Sequence, residues 1–305
     1  MNIPCNNNCV VSCPEIIGYM SVDVSREYLP DLSQLKFLNF IPPNQTINLN
    51  LNHGIKTAIK RTTDDNDENI TLLLKFIMNN KEQNINFIDN IEQNFITYRR
   101  TLISVMCNAF NSEHIRIMAC LFNKSIYLCS LETPLEKKKR LSRNQQDGRF
   151  CAWGYKFEQY MLADVPGVNP IIERPVVENE EFTLYYKTNL GDHTLLYGAQ
   201  IDGLIATDGT VLPPPNTTDF QTNLNYLKQH TYVELKTNRI IQSKRQEQTF
   251  KKYKLLRCWC QCYLANLRGL LVGYRDDHGI VTSLNYYNTE DIPKYCKHER
   301  QPERC

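Results

Sequence analysis

Five polar residues in the second half of the chain have the types and order needed for metal-assisted hydrolysis of a phosphate ester. They are Glu158, Asp202, Glu234, Lys236 and Gln261. Carboxylates hold a hard divalent cation such as Mg²⁺ or Mn²⁺. A lysine beside them steadies the attacking water and the charge that develops on the phosphate. The sequence therefore predicts a catalytic site with Mg²⁺ or Mn²⁺ as its cofactor.

Two predicted strands turn the polar residues of this site to one side. Side chains two apart on a strand share a face, so Gln200 points with Asp202, and Glu234 points with Lys236. Convergent carboxylates raise each other's pKa, and a divalent cation removes that repulsion. The carbonyl of Leu235 is a further candidate metal ligand. The competing interpretation is ordinary surface salt bridges, and the added helix glutamate and helix glutamine argue against it.

Hydrophobic periodicity predicts the elements that position these residues. Helices are predicted over 71–79, 150–162 and 250–267, and a hairpin over 116–131 turns at Asn123–Lys124. Strands are predicted over 181–189, 194–207, 232–237, 269–274 and 279–287. The predicted class is α/β, of the mixed α+β kind, with central mixed β-sheets flanked by helices.

The bulk composition excludes several classes of protein. The net charge of +2 is too small for a general nucleic-acid coat, so polyanion binding must come from local clusters. No apolar run approaches the ~20 residues that cross a bilayer, and no leader pattern opens the sequence. We therefore expect no membrane partner and a location in the nucleus or cytoplasm. The 12 cysteines lack paired zinc-ligand spacing and are expected to be free thiols.

Two basic segments are candidates for contact with phosphate. The segment Glu136–Arg149 is a basic helix or linker, for which a solvated helical face is the favoured interpretation and phosphate contact the alternative. The second segment contains Lys244, Arg245, Lys251, Lys252, Lys254 and Arg257. Together with Arg99 it is predicted to make the mouth of the site positive.

Five short motifs carry a resemblance to a known family. They are Phe95–Arg99 (FITYR), Gly154–Glu158 (GYKFE), Gln200–Asp202 (QID), Glu234–Lys236 (ELK) and Trp259–Leu264 (WCQCYL). In this combination the chain resembles the DXO family of decapping exoribonucleases, from about Pro14 to about Tyr287. The resemblance implies a single domain over 1–305, with ends loosely ordered at about 1–13 and 292–305.

The resemblance also implies a fold related to D…ExK nucleases, with a deep pocket between two sheets. Members of the family act on the 5′ end of RNA: they remove incomplete caps, pyrophosphate or NAD caps, and many degrade RNA 5′-to-3′. By analogy, Asp202, Glu234 and the Leu235 carbonyl hold metal, and Glu158 acts through water. The implied partner is an RNA 5′ end, and whether a nuclear 5′-to-3′ exoribonuclease docks here is left open.

The same analogy assigns the residues that contact substrate. Lys236 and Gln261 position the nucleophile and the scissile phosphate, and Arg99 holds an RNA phosphate.

One departure from the family pattern bears on activity. Gln200 stands where the family has glutamate, so the metal site loses one negative charge and a second ion binds poorly. An RNA 5′-end hydrolase is the leading prediction. The alternative is a catalytically impaired protein of the same fold that binds RNA 5′ ends or a protein partner.

Overall fold

Two β-sheets with helices packed against them form the part of the chain that the computed structural model describes. Those residues are 11–39, 47–61, 68–82, 94–108, 110, 114–142 and 145–296. The strands are β1 (Glu15–Val22), β2 (Tyr28–Leu29), β3 (Phe37–Leu38), β4 (Leu49–Asn50), β5 (Asn94–Tyr98), β6 (Arg116–Phe122), β7 (Ser125–Leu131), β8 (Glu181–Leu190), β9 (His193–Gln200), β10 (Gly203–Ile205), β11 (Tyr232–Arg239), β12 (Gly269–Arg275) and β13 (Ile280–Asn288).

Helices connect and cover these strands. They are α1 (Thr71–Glu82), α2 (Arg99–Asn108), α3 (Pro134–Leu141), α4 (Gln145–Met161), α5 (Phe220–Lys228), α6 (Lys244–Thr249), α7 (Leu256–Leu264) and α8 (Ile292–Cys296). A 3₁₀ turn covers Ile55–Thr57, and a π-helical segment, Phe250–Leu255, joins α6 to α7.

The first sheet has seven strands in the order β2-β1-β8-β9-β5-β7-β6. It is mixed, because β5 runs parallel to both of its neighbours, β9 and β7, while the other pairs are antiparallel. The predicted hairpin is confirmed: β6 and β7 pair around Asn123 and Lys124, whose φ angles of 45° and 63° suit a tight turn.

The second sheet has six strands in the order β3-β10-β11-β12-β13-β4 and is also mixed. The prediction of one strand over 194–207 is wrong, since β9 belongs to the first sheet and β10 to the second. The backbone changes partners at this point. The Ile201 amide donates to the Phe182 carbonyl on β8, whereas the Leu204 amide donates to the Lys36 carbonyl beside β3. The chain therefore crosses between the sheets at the position of Asp202.

Helix α4 packs on the second sheet through residues one turn apart. Trp153, Phe157 and Met161 are buried in one cluster with side chains of β11 and β12. The close approach needs a glycine on the sheet, because a Cβ on Gly273 would lie 2.5 Å from the Phe157 ring. This packing fixes the rotation of α4 and with it the direction of Glu158.

Helix α7 packs into a second cluster through buried cysteines and leucines. Cys258, Cys260 and Cys262 are each less than 5% exposed there, beside Leu256 and Leu264. The long helix predicted over 250–267 is present but begins in π geometry and ends at Leu264. The nine cysteines within the described residues are free thiols.

Parts of the two ends predicted to be loosely ordered, residues 11–13 and 292–296, lie in the described part of the chain and make defined contacts. Val11 bridges to Leu190, and the Ser12 amide donates to the Asn189 carbonyl. The loosely ordered end predicted from residue 292 is wrong for α8, because Ile292 and Cys296 are buried. Residues 1–10 and 297–305 lie outside the described part of the chain.

Among the described helices none combines the length and the apolar character that a membrane span requires.

Candidate active site

Asp202 and Glu234 reach the same lysine from two neighbouring strands. Asp202 lies directly before β10, which pairs antiparallel with β11, and Glu234 is the third residue of β11. The Lys236 Nζ lies 2.6 Å from Glu234 Oε1 and 3.8 Å from Asp202 Oδ2. Asp202 Oδ2 also accepts a hydrogen bond of 2.6 Å from the Leu235 amide. The two predicted carboxylates therefore converge on one cationic side chain.

Burial makes the charges of this cluster depend on one another. The side chains of Asp202 and Glu234 are 7% and 2% exposed. Burial and the charge of Glu234 raise the pKa of Asp202 to about 6. Burial opposes ionisation of Glu234 too, but Lys236 and Arg99 hold the pKa of that carboxyl below its usual value. The two acids reverse the effect of burial on Lys236 and raise its pKa.

Glu158 approaches the same cluster from α4. Together with Gln200 and Asp202 it lines a cavity of about 320 Å³, which we call the carboxylate cavity; its other ionisable residues are Lys36, Tyr155, Arg174, Glu180 and Glu181. Burial and then the charge of Asp202 raise the pKa of Glu158 well above its usual value, against an opposing effect of Lys236. Glu158, Asp202 and Glu234 therefore lie near Lys236, and the pKa values of the first two are raised there.

The chemistry of these donors fits a hard divalent cation. Carboxylate oxygens are the ligands that Mg²⁺ and Mn²⁺ prefer, and a cation would relieve the repulsion that raises the pKa values of Glu158 and Asp202. The described residues hold no group of three His, Cys, Asp or Glu side chains already spaced around a metal position. The Glu234 oxygens instead contact Lys236 at 2.6 Å and Arg99 at 3.3 Å. Leu235 contacts the cluster through its amide, and metal ligation by its carbonyl stays a prediction.

Arg99 lies inside the protein and is satisfied by protein acceptors. Its Nη1 lies 3.3 Å from Glu234 Oε2 and donates to the Gln261 carbonyl at 3.0 Å, and its Nη2 donates to the Gln200 carbonyl at 2.8 Å. The residue is 7% exposed. One guanidinium thus links the end of β9, strand β11 and helix α7. Contact with an RNA phosphate, the predicted role, stays a prediction.

A second cavity opens on the other side of Gln200. It has a volume of about 540 Å³ and is lined by Arg26, Arg61, Arg99, Arg100 and Arg257 with Glu68, Glu181 and Gln261 among others. We call it the arginine cavity. Gln200 is exposed and lines both cavities, while half-buried Gln261 lines the arginine cavity. Gln200 therefore lies where the two cavities meet, and Gln261 lies at the wall of the arginine cavity.

This arrangement can be compared with proteins of known family. A model of the family described as "RAI1 like PD-(D/E)XK nuclease" matches residues 12–305 of the sequence. The chain belongs to this family. The resemblance found from the motifs is confirmed, and so is the mixed α+β fold.

Relatives of this RAI1-like chain carry names from RNA metabolism. The Decapping and exoribonuclease protein Rai1 of Drosophila melanogaster is 28% identical over 281 residues, covering 90% of this chain and 72% of the relative. The human Decapping and exoribonuclease protein is 27% identical over 289 residues, covering 94% of this chain and 69% of the relative.

Solved structures share the fold. Candida albicans Rai1 in complex with pU5-Mn²⁺ superposes with a TM-score of 0.78 at 23% identity, covering 96% of this chain and 75% of that one. K. lactis Dxo1 in complex with manganese gives a TM-score of 0.59 at 16% identity, covering 92% and 70%.

The predicted basic residues between Lys244 and Arg257 differ in what they contact in this RAI1-like chain. Lys254 donates to the Thr237 carbonyl at 2.6 Å, and Lys251 pairs with Glu247 at 2.6 Å. Only Arg257 of the predicted group is among the described residues that line the arginine cavity. The sequence predicted a positive mouth formed by this segment together with Arg99. Of that set Arg99 and Arg257 line the arginine cavity, whose other arginines are Arg26, Arg61 and Arg100, so a role for the remaining residues stays a prediction.

Most of the charged residues of the arginine cavity were not predicted as site residues. Arg26 and Arg61 share Glu68 Oε2 at 2.6 and 2.8 Å, and Arg26 also pairs with Glu181 at 3.0 Å. No local pattern marks this network, because its members come from distant parts of the chain. Arg100 had a signal, since it adjoins Arg99 in the FITYR motif.

Proposed function

We propose that this chain is a hydrolase that acts on the 5′ end of RNA. The observation that carries the proposal is the convergence of Asp202 and Glu234 on Lys236 at the boundary between the two sheets, with Glu158 beside them. This acid-and-lysine set is the one expected of metal-assisted phosphate hydrolysis. Family membership supports the proposal, as do the names of relatives that are decapping and exoribonuclease proteins.

Glu158, Asp202 and Glu234 would hold Mg²⁺ or Mn²⁺, with the Gln200 amide as a neutral neighbour. When bound, the ion supplies Lewis-acid polarisation of a phosphate oxygen and a more acidic water. The side chain of Glu234 must then leave part of its contact with Lys236 or Arg99. A neighbour crystallised with pU5-Mn²⁺ supports the choice of a divalent cation.

The chain's own residues orient the substrate in this proposal. Lys236, which stays cationic because two acids raise its pKa, donates to the phosphate or the attacking water. The Gln261 side chain, at the wall of the arginine cavity, donates to the same phosphate group. Arg99 holds the Gln200 and Gln261 backbones in place. The arginine cavity receives the following phosphates, since its cations outnumber its carboxylates.

The test is to incubate the protein with RNAs that end in a triphosphate, an incomplete cap or NAD, in Mg²⁺ or Mn²⁺, and to identify the released products. We expect a product from at least one 5′ end and none from the Asp202→Asn variant. A 5′-hydroxyl RNA of the same sequence controls for internal cleavage. Products that are identical for the wild type and Asp202→Asn would overturn the proposal.

Gln200 supports a second candidate, a protein that binds RNA 5′ ends without hydrolysing them. The missing carboxylate lies where the two cavities meet, so a metal set would hold one negative charge fewer. Binding of 5′-phosphorylated RNA without release of any product, at saturating Mn²⁺, would favour this candidate over the hydrolase.

A further inference from the structure

Helix α3 is a basic element whose side chains serve no purpose in packing. None of its residues is buried. Thr133 and Glu136 form a capping box at its start, with Pro134 in the first turn, so local contacts alone specify the helix. Lys137, Lys138 and Lys139 follow in sequence and are all exposed. No ion pair among the described residues involves these three lysines.

The two acids near α3 already have hydrogen-bond partners of their own. Arg140 binds both oxygens of Glu132, at 2.7 and 3.1 Å. Glu136 accepts hydrogen bonds from the Thr133 amide and hydroxyl at 2.7 and 2.9 Å. The three lysines outnumber the one acid of α3, Glu136, so the helix carries a net positive charge, although Lys137 also lowers the pKa of Glu132.

The chain connects α3 directly to the arginine cavity. Cys129 and Ser130, near the end of β7, line that cavity, and α3 begins at Pro134. Arg100 lines the same cavity and is close enough to α3 for its charge to add to the Thr133 amide in lowering the pKa of Glu136. The helix is about 12 Å long, so its lysines lie within a few nucleotides of the cavity wall.

We propose that Lys137, Lys138 and Lys139 hold the RNA strand where it leaves the arginine cavity. The proposal rests on the proposed function, since an RNA whose 5′ end occupies the site must continue outward past the cavity wall. A flexible polyanion can contact three exposed lysines that make no ion pair with a described residue and are spread over about 200° around α3. Each neutralised phosphate adds a salt-dependent share of affinity. The surface adds affinity for long RNA and none for the 5′ end itself.

The test compares two triple variants that remove three cations each. One is Lys137→Gln, Lys138→Gln and Lys139→Gln; the other is Lys244→Gln, Arg245→Gln and Lys252→Gln, in the basic segment before α7. Both carry Glu234→Gln so that bound RNA is not consumed. The probes are 5′-phosphorylated oligouridylates of about 3 and about 20 nucleotides, titrated at several salt concentrations with Mn²⁺ present.

For the α3 variant we expect about tenfold or greater loss of affinity for the long RNA at low salt, and a salt slope smaller by about 2. Affinity for the short RNA stays within about twofold, and the melting temperature does not change, because α3 buries nothing. The comparison variant keeps its preference for long RNA. Unchanged long-RNA affinity in the α3 variant, or equal losses in both variants, would overturn the proposal.

A separate measurement distinguishes failure of this proposal from failure of the proposed function. The α3 triple variant with native Glu234 is tested for release of product from a 5′-triphosphate trinucleotide. If product is released but the α3 substitutions weaken binding of the long RNA no more than that of the short RNA, the α3 proposal is rejected and the proposed function is kept. If the α3 substitutions weaken binding of the long RNA only, and no 5′ end yields a product, the hydrolase is rejected and α3 remains part of an RNA-binding surface.

Discussion

The carboxylate cavity and the arginine cavity share a wall at Gln200 and have opposite charge. Four carboxylates face two basic residues in the first, and five arginines face two glutamates in the second. A cation prefers one chamber and a phosphate the other. The difference shows how a chain of net charge +2 can bind a polyanion: positive charge is concentrated in one cavity and is not spread over the surface.

The two cavities also differ in how their charges are held. Beside the carboxylate cavity, Asp202 and Glu234 both lie close to Lys236 Nζ. In the arginine cavity the guanidinium groups of Arg26 and Arg61 share one carboxylate, Glu68. Arg99 connects the arginine cavity to the acid cluster around Lys236, because it lines that cavity and contacts Glu234. Substitutions at this boundary should therefore separate effects on metal from effects on RNA.

The largest expected effect comes from Lys236→Met, which removes the cation that two buried acids share. We expect hydrolysis to fall by about 10²–10³ or more, since one electrostatic contact in the transition state is lost. Mn²⁺ should raise the melting temperature of this variant more than that of the wild type, because the ion replaces the missing charge. Rates are measured on the best 5′ end, and melting by calorimetry with and without Mn²⁺.

Lys254→Met is the matched control for this experiment. Lys254 is also half-buried and also contacts β11, but it donates to the Thr237 carbonyl and touches no carboxylate of the site. Its loss should lower stability with little change in rate. Equal rate losses in the two variants would show that Lys236 acts through folding only.

Arg99→Met should come next, with its main effect on stability. It breaks a buried pair with Glu234 and frees two carbonyls, so we expect a loss of about 3–5 kcal/mol in the free energy of unfolding. The measurement is urea unfolding monitored by fluorescence, with Arg99→Lys as a control that keeps the charge and recovers part of the loss.

The same variant tests the predicted phosphate contact. If Arg99 reaches RNA, Arg99→Lys should bind RNA with a nearly unchanged salt slope, while Arg99→Met loses a slope of about 0.7. A salt slope identical in all three proteins would leave Arg99 with the positioning role alone.

Gln200→Glu should sharpen the division between the cavities by adding the missing carboxylate. We expect faster hydrolysis at saturating Mn²⁺, by less than the full ~10²–10³ of a buried contact, because Gln200 is exposed and its charge is screened. Gln159→Glu is the control, since Gln159 lines the same cavity but contacts Lys156 at 2.7 Å. No gain from Gln200→Glu would mean that this position does not serve the metal.

Much of the fold follows from local patterns in the sequence. The β6–β7 hairpin needs left-handed residues, and Asn123 supplies one of the residues that adopt this conformation most readily. The rotation of α4 follows from Trp153, Phe157 and Met161 at helical spacing. The crossing at Asp202 had no such signal. Alternation continues through residues 194–207, and only the change of partners between β8 and β3 breaks the strand.

The candidate site was predictable where one strand or one motif defines it. Glu234 and Lys236 are two apart on β11 and do share a salt bridge. The burial of Arg99 was not predictable, because its acceptors lie on Gln200, Glu234 and Gln261, all more than 100 residues away. Long-range pairing of this kind leaves no periodic trace in the sequence.

The smallest expected effect concerns the basic residues of the carboxylate cavity. Lys36 and Arg174 line it, and both bind Asp164, at 2.7 and 2.6 Å. Arg174 and then Lys36 lower the pKa of Asp164 to about 2, against the effect of burial. Because the folded pKa lies below the ordinary value of 3.8, the pair stabilises the protein fully above pH 4 and loses this contribution as the pH falls towards 2.

Asp164→Asn should therefore lower the melting temperature at neutral pH by about 2 °C or less, since the three side chains are 23% to 41% exposed and solvent screens them. The difference from the wild type should shrink as the pH is lowered from 4. Asp277→Asn, which removes a more exposed partner of Arg239, is the control and should change nothing. A difference that stays constant with pH would show that Asp164 acts through packing. In that case the charges of Lys36 and Arg174 would not be taken up by Asp164. They would offset the carboxylates that line the carboxylate cavity, and the cavity would be less negative.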